Sequence, residues 1–131
     1  METIEKKIIK GGEFIIKKTK CDEVFTPEDF SDEQKMMRDA VKDFTDKEIW
    51  SKKHEFENHN YQLTADVMKK AGNLGFLGVN VPEEYGGLGM PFTSSMLVCD
   101  YISGSSGSTS TAFGAHTGIG TMPILLYGTD E

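Results

Sequence analysis

Apolar residues recur at three- and four-residue steps along most of the chain, the spacing of amphipathic helices. Met37, Ala40, Val41, Phe44 and Ile49 form one such set, backed by Asp, Glu and Lys, and predict a helix over 32–50. It opens on a capping box, Ser31-Asp32-Glu33-Gln34, with Phe30 placed to staple against the first turn. Val67, Met68, Ala71 and Leu74 predict a second helix, capped by Thr64, favoured by Lys69 and Lys70 near its C-terminus and ending at Gly75. A third segment opens at Pro91 and carries Met96, Leu97, Asp100 and Tyr101; a fourth covers 109–120. A short apolar helix follows over 122–127, with Pro123 in its first turn. The serine-glycine run 103–108 reads as the turn between two antiparallel helices, capped at Ser106 or Ser108, rather than as a flexible linker. Residues 52–60 are polar apart from Phe56 and fit either a short helix or a loop.

The N-terminal 1–25 read as a mobile or extended arm, with Glu13-Phe14-Ile15-Ile16 as a short extended piece that docks on something. Thr26-Pro27-Glu28-Asp29-Phe30 reads as a turn or one short helical turn, with Pro27 placed for a helix start. The expected architecture is therefore all-α, a helical bundle over 26–131. At the other end Gly128 reads as a helix stop, and Thr129-Asp130-Glu131 as the cap and first turn of another helix, so the chain is expected to be a truncated piece of a longer protein.

The stretch between the second and third helices is neither helical nor polar. Gly75 and Gly78 are placed to end a helix with positive φ. Pro82 holds Val81 extended, and Gly86-Gly87 and Gly89 permit turns that a Cβ would block. Yet Phe76, Leu77, Val79, Val81, Leu88 and Met90 run through it, which predicts a fixed, buried crossing.

Composition narrows the function. The chain has 131 residues, enough for one modest core, with 37% hydrophobic and 27% charged residues. Its net charge of −7 argues against a general grip on nucleic acid. No apolar run approaches the ~20 residues of a membrane span, and Met1-Glu-Thr-Ile-Glu-Lys-Lys lacks the basic-then-apolar order of a signal peptide. Cys21 and Cys99 are too few for a disulfide framework or metal knuckle and are expected to be reduced thiols of a cytoplasmic protein.

No nucleophile–base set assembles from these residues. Gly86-Gly87-Leu88-Gly89 lacks both the spacing and the preceding strand of a dinucleotide fingerprint. His54 and His59 lack a third metal ligand and are expected on the surface. Glu83 and Glu84 read as a solvated corner, His116 as a hydrogen-bonded core residue, and Trp50 and Tyr85 as packing residues. The segment 109–120 carries no charge and has glycines at 114, 118 and 120. Each glycine costs a helix about 1 kcal/mol against alanine. Two explanations stand: tight helix–helix packing, or a ligand channel along the backbone.

Leu74-Gly-Phe-Leu-Gly-Val-Asn-Val-Pro-Glu-Glu-Tyr-Gly-Gly-Leu-Gly-Met90 resembles the signature of the acyl-CoA dehydrogenase N-terminal helical domain. The stretch from Gly11 to Phe30 resembles the lead-in of very-long-chain-type members. Gly114-Ala115-His116-Thr117-Gly118-Ile119-Gly120 with Ile124-Leu125-Leu126-Tyr127-Gly128-Thr129 resembles the helix that closes the domain in the same branch. The resemblance covers most of 11–131 and is weakest over 52–61.

This resemblance implies a part of an FAD-dependent enzyme that oxidises the Cα–Cβ bond of an acyl-CoA in fatty-acid β-oxidation and passes electrons to an electron-transferring flavoprotein. It implies a homo-oligomer, with the catalytic base and most flavin contacts on other domains, so no catalytic or metal residue is assigned here. It also implies that the helix over 109–120 walls the acyl channel. Thr111, Gly114, Ala115, Gly118 and Ile119 are then the candidate wall residues, and their small size points to a long acyl chain. The alternatives are an acyl-CoA oxidase-like enzyme or a stand-alone helical module that binds acyl chains or a protein.

Overall fold

A computed structural model describes residues 8–129. The chain divides into two compact units between Glu33 and Gln34. The described residues are helices and turns, without a strand.

The first unit is built from acid-capped turns. Helix α1 (Glu13–Ile16) is a single turn. The Glu13 carboxylate accepts from the Lys10 N–H at 3.0 Å and from Lys17 Nζ at 2.5 Å. The same device recurs where Glu23 accepts from Lys20 N–H at 2.9 Å and Asp29 from Thr26 N–H at 2.7 Å. An acid three residues on satisfies an amide that a short helix leaves orphaned. The extended piece expected at 13–16 is thus corrected to a helical turn, and its Phe14, Ile15 and Ile16 are exposed. Phe30 packs edge-on against Phe25, with centroids 5.1 Å apart. Ile9, Phe14, Val24 and Phe25 line a cavity of about 620 Å³ that belongs to this unit alone. The part of the arm over 1–7 and the helix start at Asp130 and Glu131 lie outside the described residues.

The second unit is a bundle. Helix α2 (Asp32–Phe44) runs without a break through a π-turn (Thr45–Ile49) and a 3₁₀ turn (Trp50–Lys52) into α3 (Lys53–Glu57), so residues 52–60 begin as helix. Helix α4 (Tyr61–Asn73) starts earlier than expected. Its cap is Asn60, whose Oδ1 accepts from Leu63 N–H at 3.1 Å, and Thr64 lies inside the helix. Helix α5 (Phe92–Ser105) and α6 (Gly107–Gly114) form a hairpin. The turn is narrower than 103–108 and centres on Ser106, which caps α6 by position but with no side-chain hydrogen bond. Ser110 Oγ donates to Ser103 Oγ at 3.0 Å across it. A second π-turn (Ala115–Gly120) leads into α7 (Thr121–Tyr127).

Val41, Phe44, Ile49, Phe56, Val67, Ala71, Phe76, Val79, Val98, Ile102 and Phe113 make one core. Phe44 and Phe76 meet edge-on at 5.5 Å. Glu48, in the first π-turn, accepts from Lys52 Nζ at 2.8 Å and from Lys70 Nζ at 2.7 Å, tying that turn to α4. Both lysines hold its carboxyl below the usual range.

The crossing from Gly75 to Met90 is fixed by backbone. Gly75 ends α4 at φ +81°, and Gly86 and Gly89 also take positive φ. Gly78 is corrected: it closes a 3₁₀ turn (Phe76–Gly78) outside the left-handed region. The chain folds back on itself, with Leu88, Gly89 and Met90 N–H groups donating to the carbonyls of Gly78, Val81 and Val79, each at 2.9 Å. Gly87 sits inside this return, where a Cβ would lie 2.1 Å from the Val81 carbonyl oxygen.

Candidate functional site

The late helices present a long, uncharged face. No Lys or Arg occurs from Ala71 to Thr129, and Glu83, Glu84 and Asp100 are the only carboxylates there. Thr109 and Phe113 turn inward and are buried. Thr111, Ala115 and Ile119 follow one another at four-residue steps and are all exposed, Ile119 at 81%. Gly114 and Gly118 form the adjoining, half-buried row.

The two explanations for the glycines make different demands. Tight packing requires a neighbour where a Cβ would stand. At Gly114 and at Gly118 no atom of the described residues, beyond the chain neighbours and the helix's own backbone, lies within 4 Å of that position. The packing explanation fails at both residues within this chain.

The concave part of the face lies one row over. Val81, Tyr85, His116, Gly120, Thr121, Ile124 and Leu125 line a groove of about 430 Å³. A second hollow of about 400 Å³ shares Tyr85, Ile124 and Leu125 and ends at Gly128 and Thr129. None of the five residues predicted as wall lines either hollow. The sequence carried a signal for the groove, the four-residue spacing of His116, Gly120 and Ile124, without saying which row is concave. His116, expected in the core, is exposed. Tyr85 is 60% exposed above the groove, and Trp50 is also exposed, with Lys53 Nζ 5.0 Å from its ring centroid. Neither is the packing residue expected.

The site is tied to the crossing loop by Asn80, whose Nδ2 donates to Met122 Sδ at 3.8 Å. The loop's acidic corner, Glu83 and Glu84, is exposed. His54 and His59 are exposed too; His59, at φ +59°, stacks on Tyr61. Among the described residues no three His, Cys, Asp or Glu gather where a metal could be held. Cys21 and Cys99 are unpaired. No helix among the described residues is long and apolar enough to cross a membrane.

The pattern of the acyl-CoA dehydrogenase N-terminal domain matches residues 31–131. The chain belongs to this family. A probable acyl-CoA dehydrogenase of Bacillus subtilis (strain 168) is 43% identical over 122 residues, 93% of this chain and 20% of that protein. The mitochondrial isovaleryl-CoA dehydrogenase of Solanum tuberosum is 34% identical over 103 residues, 78% of this chain and 25% of its own length. The crystal structure of an acyl-CoA dehydrogenase complexed with FAD from Bacillus anthracis is similar with a TM-score of 0.82 at 42% identity, covering 92% of this chain and 21% of that one. The chain thus spans about a fifth to a quarter of the length of these relatives. The all-α architecture is that of the acyl-CoA dehydrogenase N-terminal domain. The relatives extend to the isovaleryl type and do not single out the very-long-chain branch.

Proposed function

We propose that this acyl-CoA dehydrogenase domain walls the acyl channel of an FAD-dependent enzyme that oxidises the Cα–Cβ bond of a long-chain acyl-CoA. The observation that carries this reading is the open space over Gly114 and Gly118. A helix that forgoes side chains at two positions one turn apart, with open space where each Cβ would stand, leaves room for a ligand against its backbone. Thr111, Ala115 and Ile119 flank that room, and the groove under Tyr85 runs along a different row of the same helix. Long-chain preference follows from the small side chains. The isovaleryl relative has a short substrate by its name, so chain length is argued from the glycines.

The wall fits hydrocarbon rather than the charged parts of flavin or coenzyme A. With no Lys or Arg from Ala71 to Thr129, it offers no cation to a diphosphate. Those groups, and the base that removes the α-proton, belong to other parts of the enzyme. Bound FAD supplies the two-electron acceptor. This domain's residues orient the acyl tail and exclude water from it.

The same reading places the enzyme in the cytoplasm as a homo-oligomer that hands electrons to an electron-transferring flavoprotein in fatty-acid β-oxidation. The test uses the full-length protein. It should purify yellow and bleach anaerobically on addition of palmitoyl-CoA. A colourless protein, or a flavin that stays oxidised with every acyl-CoA, refutes the reading.

A further inference from the structure

The wall is not a uniform α-helix, and its burial pattern shows where it slips. Thr109 and Phe113 point inward, four residues apart. An α-helix would carry that stripe on to Gly120 and Ile124. Instead Gly120 is exposed, Ile124 is 72% exposed, and the half-buried positions are Thr121, Met122 and Leu125. The inward face moves by one residue, which is what a single π-turn inserts. That turn is Ala115–Gly120.

Two residues hold it. Thr121 donates twice to the His116 carbonyl, through its backbone N–H and through Oγ1 at 2.7 Å. A threonine hydroxyl in a helix ordinarily reaches the carbonyl four residues back. Thr117 does so to Phe113 and Thr111 to Gly107, each at 2.9 Å. Thr121 alone of these reaches five back, to the carbonyl that π-winding presents. Gly120 gives the turn its room: a Cβ there would stand 3.0 Å from the Ala115 carbonyl oxygen.

We infer that Thr121, with Gly120 beside it, is a positioning residue that sets the register of the acyl wall and so helps determine chain-length specificity. The inference rests on the proposed function above. Loss of the turn rotates α7 against α6 by roughly 100°, one residue of α-helix. Ile119 and Ile124 then leave their present directions, and the groove between Tyr85 and Leu125 changes shape.

The test compares T121V, which keeps the shape without the donor, with T121S, which keeps the donor, and with G120A. All are made in the full-length flavoprotein. The readouts are flavin content, kcat/KM across acyl-CoA chain lengths, and crystal structures through 115–120. T121V should change the ratio of palmitoyl-CoA to butyryl-CoA kcat/KM by about tenfold, within the range a methylene-sized pocket change produces. T121S should keep the wild-type ratio. A T121V profile that superimposes on wild type, or a T121V structure that retains the π-turn with its backbone N–H bond to the His116 carbonyl, overturns the inference. If T121V does not fold, G120A decides: loss of the π-turn in its structure together with a changed profile supports the lock, and an unchanged profile overturns it. A wild-type protein that oxidises no acyl-CoA sinks the functional reading, while the T121V structure still decides the lock.

Discussion

Gln34 Nε2 donates a 3.0 Å hydrogen bond to Ser94 Oγ, across 60 residues of chain. It also donates to Thr93 Oγ1 at 3.1 Å. Gln34 is 8% exposed and Ser94 fully buried, so the contact fastens the start of α2 to the start of α5 away from water. Gln34→Leu strips the donor and leaves the Ser94 hydroxyl without it. A destabilisation of about 1–3 kcal/mol is expected, the usual cost of orphaning a buried polar group. Urea unfolding of the full-length protein or its isolated domain measures it. An unchanged midpoint would mean that water replaces the contact.

Thr109 is the opposite case. Its Oγ1 is buried and has no hydrogen-bond partner among the described residues. Thr109→Val should therefore be neutral or stabilising by up to about 1 kcal/mol, because it removes an unsatisfied group while keeping the shape. A clear loss of stability would show that the hydroxyl has a partner after all, such as an ordered water.

The two adjacent glycines of the crossing loop should respond differently. At Gly86, φ is +80° with nothing near the Cβ position, so Gly86→Ala should cost about 1 kcal/mol in backbone strain. At Gly87 the Cβ would overlap the Val81 carbonyl. Gly87→Ala should cost more than ~3 kcal/mol or prevent folding, as strain in an over-determined backbone does. Equal stability losses would contradict the packed return from Leu88 to Met90.

Much of the bundle was legible because helix periodicity is a local signal. Met37, Val41 and Phe44, or Val67 and Ala71, announce their own buried face whatever they pack against. What escaped was non-local or a matter of register. Gln34 advertises a helix cap; nothing near it in sequence names Ser94. Asn60 was passed over as a cap because the apolar set of α4 begins several residues later. The slip at Ala115–Gly120 is a change of hydrogen-bond partner by one residue. Periodicity shows it only as the step from Phe113 to Leu125, and the apolar neighbours of His116 point to the core although its side chain faces out. The glycines were visible, but whether anything filled the space over Gly114 needed coordinates.

Glu48 gives the bundle a pH dependence of predictable sign. Hydrogen bonds from Lys52 and Lys70 hold its folded-state pKa below the unfolded value. Its contribution to stability is therefore present above the unfolded pKa, about 4.3 for a free glutamate, and lost as pH falls through the lower folded pKa. The pair is partly exposed, so about 0.5–1 kcal/mol is expected, weakened by salt. Glu48→Gln should reduce stability at pH 7 and flatten its fall on acidification. Parallel stability curves for the two proteins would remove the ion pair from the account.

The central claim is that space over the glycine row holds an acyl tail, and Gly114→Phe tests it most directly. The substitution fills that space, where no atom of the described residues beyond the helix's own backbone and the chain neighbours stands within 4 Å of a Cβ. The measurement is kcat/KM of the full-length flavoprotein across acyl-CoA chain lengths, with flavin content as the control. The account predicts a loss of at least about tenfold on palmitoyl-CoA relative to butyryl-CoA, with flavin content unchanged. A Gly114→Phe enzyme with the wild-type chain-length profile would contradict it.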